Sequence, residues 1–225
     1  MQTRRMPARL DLTAVIVDLD GTMVHTLGDF SAALAAVHEE LGLAVIAPAQ
    51  VEGMVGKGSE HLIRSALRAA GAGEERYEAA WAAYQRHYAR INGQFADVYE
   101  GVDAGLRLLR SRGLRLACVT NKPTDFARDL LARKKLAQFF DVVFGGDAFE
   151  RKKPHPEPLV RACEALRSEP SRTLVIGDSS NDAAAARAAG CPVLLVTYGY
   201  NHGEPVRAVD ADGFVDSLSE LARWL

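Results

Sequence analysis

Ala14 to Val17 is a run of four apolar residues that stops abruptly at an acid, Asp18. A short, largely β-branched run closed by a polar turn reads as a buried strand. Two carboxylates, Asp18 and Asp20, stand two places apart at its C-terminal end, followed by Gly21, which frees the backbone to turn, and Thr22, which adds a hydroxyl. One acid after a strand commonly forms a turn or caps a helix. Two at one strand end repel unless a cation or a shared proton relieves them. Hard oxygen donors of this kind suit Mg²⁺.

After Thr22 the period changes. Leu27, Phe30, Leu34, Val37 and Leu41 recur at steps of three and four, one apolar face of a helix, with Thr26 as its expected N-cap and Gly42 at its end. Pro48 opens a short second helix. Leu62, Ile63, Ala66, Leu67 and Ala70 mark a third, and residues 74–91 a fourth. No strand is expected between about Met23 and Ala96. The rest alternates regularly: helix 102–112, strand 114–119, helix 125–136, strand 142–144, helix 158–166, strand 173–176, helix 182–189, strand 193–196, an edge strand at Phe214-Val215 and a terminal helix over 218–225. Repeated βα units make a parallel sheet with helices on both faces. The expected fold is α/β: a Rossmann-like doubly wound parallel sheet core from residues 12–22 and 97–225, with an inserted α-helical cap domain over 23–96. Ligands of such sheets bind beyond the C-terminal strand ends. Asp18, Asp20, Thr120 and Asp178 all fall there.

Other classes of function lose support. A formal net charge of −2 gives no electrostatic case for nucleic acid, and no stretch is long enough to span a membrane. Arg4-Arg5 lead into no apolar segment, because Arg9, Asp11, Asp18 and Asp20 interrupt it, so residues 1–11 are expected to be a loose tail. Cys118, Cys163 and Cys191 form no close-spaced pair; as small buried hydrophobes they fit a reducing cytoplasm and no zinc site. Gly53-Met54-Val55-Gly56-Lys57-Gly58 has neither dinucleotide-binding nor Walker spacing and reads as a turn between helices. Its glycines permit close backbone approach to a ligand. Lys57 is thus either a solvated lysine or a contact for a second negative group on a substrate.

Three further stretches carry chemistry. Thr120-Asn121 ends an apolar strand with a hydroxyl and an amide. Lys153-Pro154-His155-Pro156-Glu157-Pro158 is stiffened by its prolines, which hold the lysine where a fixed anion would need it. In Gly177-Asp178-Ser179-Ser180-Asn181-Asp182, Asp178 directly ends a strand, as Asp18 does, and Asp182 sits at a helix start, where an acid is also favoured by the exposed amides.

Taken in order with Asp18-Leu19-Asp20-Gly21-Thr22, these stretches resemble the four motifs of the haloacid dehalogenase superfamily, in its phosphatase branch. The resemblance runs from about Thr13 to the C-terminus. Val55-Gly56-Lys57-Gly58 and Gly146-Asp147 followed by Lys153-Pro154-His155-Pro156 are similar to the phosphoglycolate phosphatase subfamily. The resemblance implies a phosphate monoester hydrolase, cytoplasmic, a monomer or homodimer, acting on a small phosphorylated metabolite, foremost 2-phosphoglycolate. It makes Asp18 the nucleophile of an aspartyl-phosphate and Asp20 the acid and base. It gives Mg²⁺ to Asp18, the Asp20 carbonyl and Asp178, and the phosphoryl oxygens to Thr120, Asn121 and Lys153. Asp182 and Thr22 become supports, and the cap excludes water. Sugar phosphates, nucleotides and pyrophosphate suit the same cap class. A phosphomutase would also keep both acids, whereas a dehalogenase would lack the one at Asp20. One position departs from the family: it usually has Asp where this chain has His25, at the point where the chain passes into the cap.

Overall fold

The computed structural model describes residues 11–225. The tail expected over residues 1–11 therefore lies outside the described residues except for Asp11, whose carboxylate is 2.9 Å from Arg172. The chain runs β1 (Ala14–Val17), β2 (Val24–His25), α1 (Leu27–Leu41), α2 (Pro48–Glu52), α3 (Ser59–Ala69), α4 (Tyr77–Ile91), β3 (Asp97–Val98), α5 (Val102–Ser111), β4 (Arg115–Val119), α6 (Thr124–Arg133), β5 (Val142–Phe144), α7 (Glu157–Ala165), β6 (Thr173–Gly177), α8 (Ser180–Ala189), β7 (Val193–Val196) and β8 (Gly213–Val215).

Six strands form one sheet in the order β5-β4-β1-β6-β7-β8, and every pairing is parallel. Its strands are apolar without alternation because helices cover both faces. The side-chain period of two still divides them. Val15, Val17, Leu116, Cys118, Leu174 and Ile176 pack on one side with Leu106, Leu109, Leu130 and Leu131 of α5 and α6. Ile16, Ala117, Val119 and Val175 pack on the other with Leu159, Ala162, Ala183 and Ala186 of α7 and α8. All three cysteines are free and buried in these layers, as small hydrophobes.

Helices α1 to α4 bury a third cluster, built on Phe30, Leu34, Leu62, Ile63, Tyr84 and Tyr88. Tyr200, which follows β7 in the core, is part of that same cluster. Gly42 takes the left-handed conformation that ends α1 at φ 63°.

Four local expectations need correction. The stretch expected to lack strands holds β2, which pairs antiparallel with β3 through Val24–Val98 and His25–Asp97. Two residues are too few to register a period, and the pairing arises because the outgoing and returning chains cross side by side. Thr26 occupies the N-cap position of α1, but its hydroxyl makes no capping bond and is buried without a partner. The helix expected from residue 74 begins as a 3₁₀ turn, Glu74–Arg76, and becomes α-helical at Tyr77. The expected terminal helix is a 3₁₀ helix, Leu218–Arg223. There the buried residues are Leu218 and Leu221, a spacing of three, which is the 3₁₀ period.

Candidate active site

β1 pairs with β4 on one side and β6 on the other, with Val17 opposite both Cys118 and Ile176. The residues just past these strands are thereby gathered at one edge: Asp18 and Asp20 after β1, Thr120 to Lys122 after β4, and Asp178 after β6. All are buried. Gly21 turns the chain away with φ +83°, and a Cβ there would fall 2.3 Å from Asp178 Oδ2. Gly199 is equally constrained, since its Cβ would meet that of Asp178 at 2.1 Å. These two glycines let two loops close on one carboxylate.

Lys153 is the hub. Its ammonium donates to Val119 O at 2.8 Å and to Asp182 Oδ1 at 2.7 Å, and lies 2.8 Å from Asp18 Oδ1. The ammonium thus sits between the two carboxylates of Asp18 and Asp182. Burial lowers the proton affinity of Lys153, but Asp18 and Asp182 outweigh it and raise the ammonium above its usual range. Burial, only partly countered by Lys153, lifts the Asp18 carboxyl to about 7. Burial and then the charges of Asp182 and Asp18 push Asp178 well above the usual carboxylate range. Asp182 goes the other way: burial raises it, but the charge and hydrogen bond of Lys153 outweigh that and hold it below.

Asp182 is fully engaged. Its Oδ1 takes Lys153, and its Oδ2 accepts Ser179 Oγ at 2.7 Å, Ser179 N at 3.1 Å and Asp178 N at 3.3 Å. It closes the loop that carries Asp178. Asp178 Oδ2 accepts from Tyr200 N at 2.7 Å. Asn121 Nδ2 donates to Lys153 O at 2.8 Å and to Gly56 O at 3.0 Å, tying the core to the cap loop, while its Oδ1 is buried without a partner. Thr22 Oγ1 is likewise buried and unpartnered, and its carbonyl accepts from Tyr198 Oη at 2.8 Å.

Carboxylate oxygens of Asp18, Asp178 and Asp182 lie within 4.8 Å of one another. With Asp20 that makes four buried carboxylates against two buried ammonium groups, Lys122 and Lys153. A divalent cation matches that deficit. Converging carboxylate oxygens are hard donors that fit Mg²⁺. The saturation of Asp182 leaves Asp18 and Asp178 as the side chains with room to hold it.

One residue here was not singled out from the sequence. Lys122 follows Thr120-Asn121 directly, is buried, and donates to Asp20 Oδ1 at 3.1 Å and to Tyr88 Oη at 2.5 Å. A cavity opens above the strand ends. Asp18, Asp20, Thr120 and Lys122 line its floor, and Phe30, Met54, Val55 and Leu62 of the cap line its roof. Lys57 does not line it. That side chain is exposed and lines a neighbouring groove with His61, Arg64, Lys152 and Lys153, while its neighbours Gly56 and Gly58 reach the cavity wall. His25 is exposed, its Nδ1 lying 3.0 Å from Tyr200 Oη and 3.1 Å from Tyr99 Oη.

The family model described as haloacid dehalogenase-like hydrolase matches residues 15–196. A protein of Cupriavidus necator named plasmid phosphoglycolate phosphatase is 44% identical over 218 residues, which is 96% of this chain and 94% of that one. A phosphoglycolate phosphatase of Nitrosospira multiformis is 41% identical, covering 96% of each chain. Among solved structures, one described as a predicted phosphoglycolate phosphatase from Haemophilus somnus 129PT superposes with a TM-score of 0.91 at 28% identity, over 95% of this chain and 97% of the other.

Proposed function

The chain belongs to the haloacid dehalogenase-like hydrolase family, and from that premise we propose that it is a Mg²⁺-dependent phosphate monoester hydrolase that cleaves 2-phosphoglycolate through an aspartyl-phosphate on Asp18. The observation that carries the reading is the pair of acids after β1. They stand in one cavity, each beside its own buried lysine: Asp18 with Lys153 at 2.8 Å, Asp20 with Lys122 at 3.1 Å. The relatives named above supply the substrate.

Phosphate monoesters are among the slowest substrates to hydrolyse, needing accelerations up to about 10²¹-fold, so several groups must act together. Asp18 Oδ1 attacks phosphorus; a bond forms between them as the ester P–O bond breaks. Asp20 gives its proton to the departing glycolate oxygen. The carboxylate left behind lies against the Lys122 ammonium, which stabilises it. Asp20 then takes a proton from a water molecule whose oxygen attacks phosphorus, releasing inorganic phosphate and restoring Asp18. Lys153 offsets the charge of Asp18, and the Thr120 hydroxyl stands where phosphoryl oxygens collect charge, while the Asn121 amide holds the Lys153 loop and the cap loop in place. Mg²⁺, when bound, supplies the positive charge that lets two anions approach, and Asp18 and Asp178 would hold it. The apolar roof from Phe30, Met54 and Leu62 keeps bulk water out.

Phosphate release tests this. The kcat/KM for 2-phosphoglycolate should exceed that for sugar phosphates, nucleotides and pyrophosphate by at least about 10-fold, a difference of about 1.4 kcal/mol in transition-state binding. Chelation should stop turnover and Mg²⁺ restore it, with Ca²⁺ a poor substitute because its larger, looser shell misplaces the nucleophile. Equal rates across the panel, or full activity in excess chelator, would contradict the reading.

A further inference from the structure

The substrate proposed above carries two anionic ends, a phosphate and a carboxylate, separated by one methylene. Asp18 and its neighbours account for the phosphate. The carboxylate needs a cation, and the cap wall offers none: the cap residues lining the cavity are apolar or uncharged, Phe30, Met54, Val55, Ser59 and Leu62 among them. Among the described residues that line the cavity, Lys122 alone is cationic.

Its setting is that of a receptor. Lys122 is only 4% exposed. Its ammonium donates to Tyr88 Oη at 2.5 Å and to the two oxygens of Asp20 at 3.1 and 3.4 Å, so one carboxylate is its single anionic partner among the described residues. The rings of Phe30 and Tyr88 stand 4.5 and 4.7 Å from the nitrogen and desolvate it. A carboxylate meeting a partly dehydrated ammonium in such a cavity is held more strongly than in water. The position is also right. The leaving oxygen must come to Asp20, whose Oδ1 is 3.1 Å from Lys122 Nζ, and the carboxylate carbon is two bonds from that oxygen. A group bound to phosphorus over Asp18 and to Asp20 through its ester oxygen has its carboxylate beside Lys122, whereas Lys57 does not line this cavity.

We propose that Lys122 receives the substrate carboxylate and is the residue that sets preference for 2-phosphoglycolate over esters of neutral alcohols. This rests on the substrate reading above. A neutral ester would offer this ammonium no second anion, so the residue favours a substrate that carries a carboxylate.

The test compares 2-phosphoglycolate with ethyl phosphate, the same ester without the carboxylate. In Lys122→Met, kcat/KM for 2-phosphoglycolate should fall about 10- to 150-fold further than that for ethyl phosphate, the range of a charge-assisted hydrogen bond. Lys122→Arg should recover part of the preference. Equal proportional losses would mean that Lys122 acts only through Asp20 and would overturn the proposal. If Lys122→Met fails to fold, Lys122→Gln gives the same comparison, because it keeps a donor for Asp20 and loses the charge. In the wild-type enzyme, 3-phosphonopropionate should inhibit at least about tenfold more tightly than propylphosphonate; equal inhibition also overturns the proposal. A wild-type enzyme that prefers ethyl phosphate would instead refute the substrate reading itself, and that is visible before any variant is made.

Discussion

Asp18→Asn loses at least about 10⁴-fold in kcat, the scale on which removal of a covalent nucleophile acts, while the protein folds and keeps its secondary structure. The amide is nearly the same size as the carboxyl, so packing beneath β4 and β6 is undisturbed. It cannot donate an electron pair to phosphorus as the carboxylate does. Stability should not suffer. Burial raises the Asp18 carboxyl to about 7, which means the folded state disfavours its ionised form. A group with a raised folded pKa binds protons more readily when folded, so the cost to stability builds as pH rises from the unfolded carboxyl value and is complete above about 7. The neutral amide removes this cost. In metal-free protein the melting temperature of Asp18→Asn should equal or exceed that of the wild type, and the difference should grow as pH rises from the ordinary carboxylate range to about 7 and level off above it. Substantial residual turnover, or a collapse of the fold, would contradict the role given to this residue. Measurement of kcat beside the melting temperature separates the two outcomes.

Lys153→Met should damage both activity and stability. The ammonium stands between Asp18 and Asp182 at 2.8 and 2.7 Å, and Asp178 is the next carboxylate of the cluster. Removing it leaves three buried acids with no nearby cation. Loss of one partner of a buried ion pair costs about 3–5 kcal/mol, because the other charge stays buried and unpaired. In a domain of this size that lowers the melting temperature by about 6–20 °C. The dependence on pH has a definite sign. In the wild type Asp182 is held below the usual carboxylate range, so it adds stability above its unfolded pKa and that stability is lost as pH falls. Without Lys153 the same carboxyl is buried with no partner and its folded pKa must rise, so protonation favours the fold. The stability deficit of the variant should therefore shrink as pH is lowered through the carboxylate range. Activity should drop at least about 10²-fold through loss of positive charge at the phosphoryl group. A variant as stable as wild type at neutral pH and within tenfold in kcat/KM would refute the hub role.

The core and its acids could be read from the sequence because each signal there is local. An unbroken apolar run predicts a strand covered on both faces, and a residue that ends such a run is carried to the ligand-binding edge of the sheet. That reasoning places Asp18 and Asp178 directly. The prolines around Lys153 fit a surface cation equally well; the resemblance of Lys153-Pro154-His155-Pro156 to the family motif singles it out, and the loop brings its ammonium to Asp18. What stayed hidden depends on contacts between distant residues. Lys122 reads as a surface lysine in its own neighbourhood; it is buried only because Phe30 of α1 and Tyr88 of α4 close over it. Tyr200 follows a core strand, yet its ring packs with the cap cluster while its hydroxyl accepts from the backbone amides of Thr26 and Leu27. No period or motif announces such a bridge. His25, the departure from the family pattern, meets the hydroxyls of Tyr99 and Tyr200. β2 and β3 were missed for being two residues long, and the C-terminal 3₁₀ helix because an apolar spacing of three fits both helix types over a single turn.

Covalent catalysis by Asp18 has a stereochemical signature. Attack by Asp18 inverts phosphorus, and attack by water on the aspartyl-phosphate inverts it again, so the overall course is retention. Direct attack by water would invert it once. The decisive measurement is the hydrolysis, in isotopically labelled water, of a thiophosphoryl analogue of 2-phosphoglycolate made chiral with oxygen isotopes, followed by assignment of the configuration of the released thiophosphate. Two displacements at phosphorus predict retention; inversion would contradict them and remove Asp18 from the role of nucleophile.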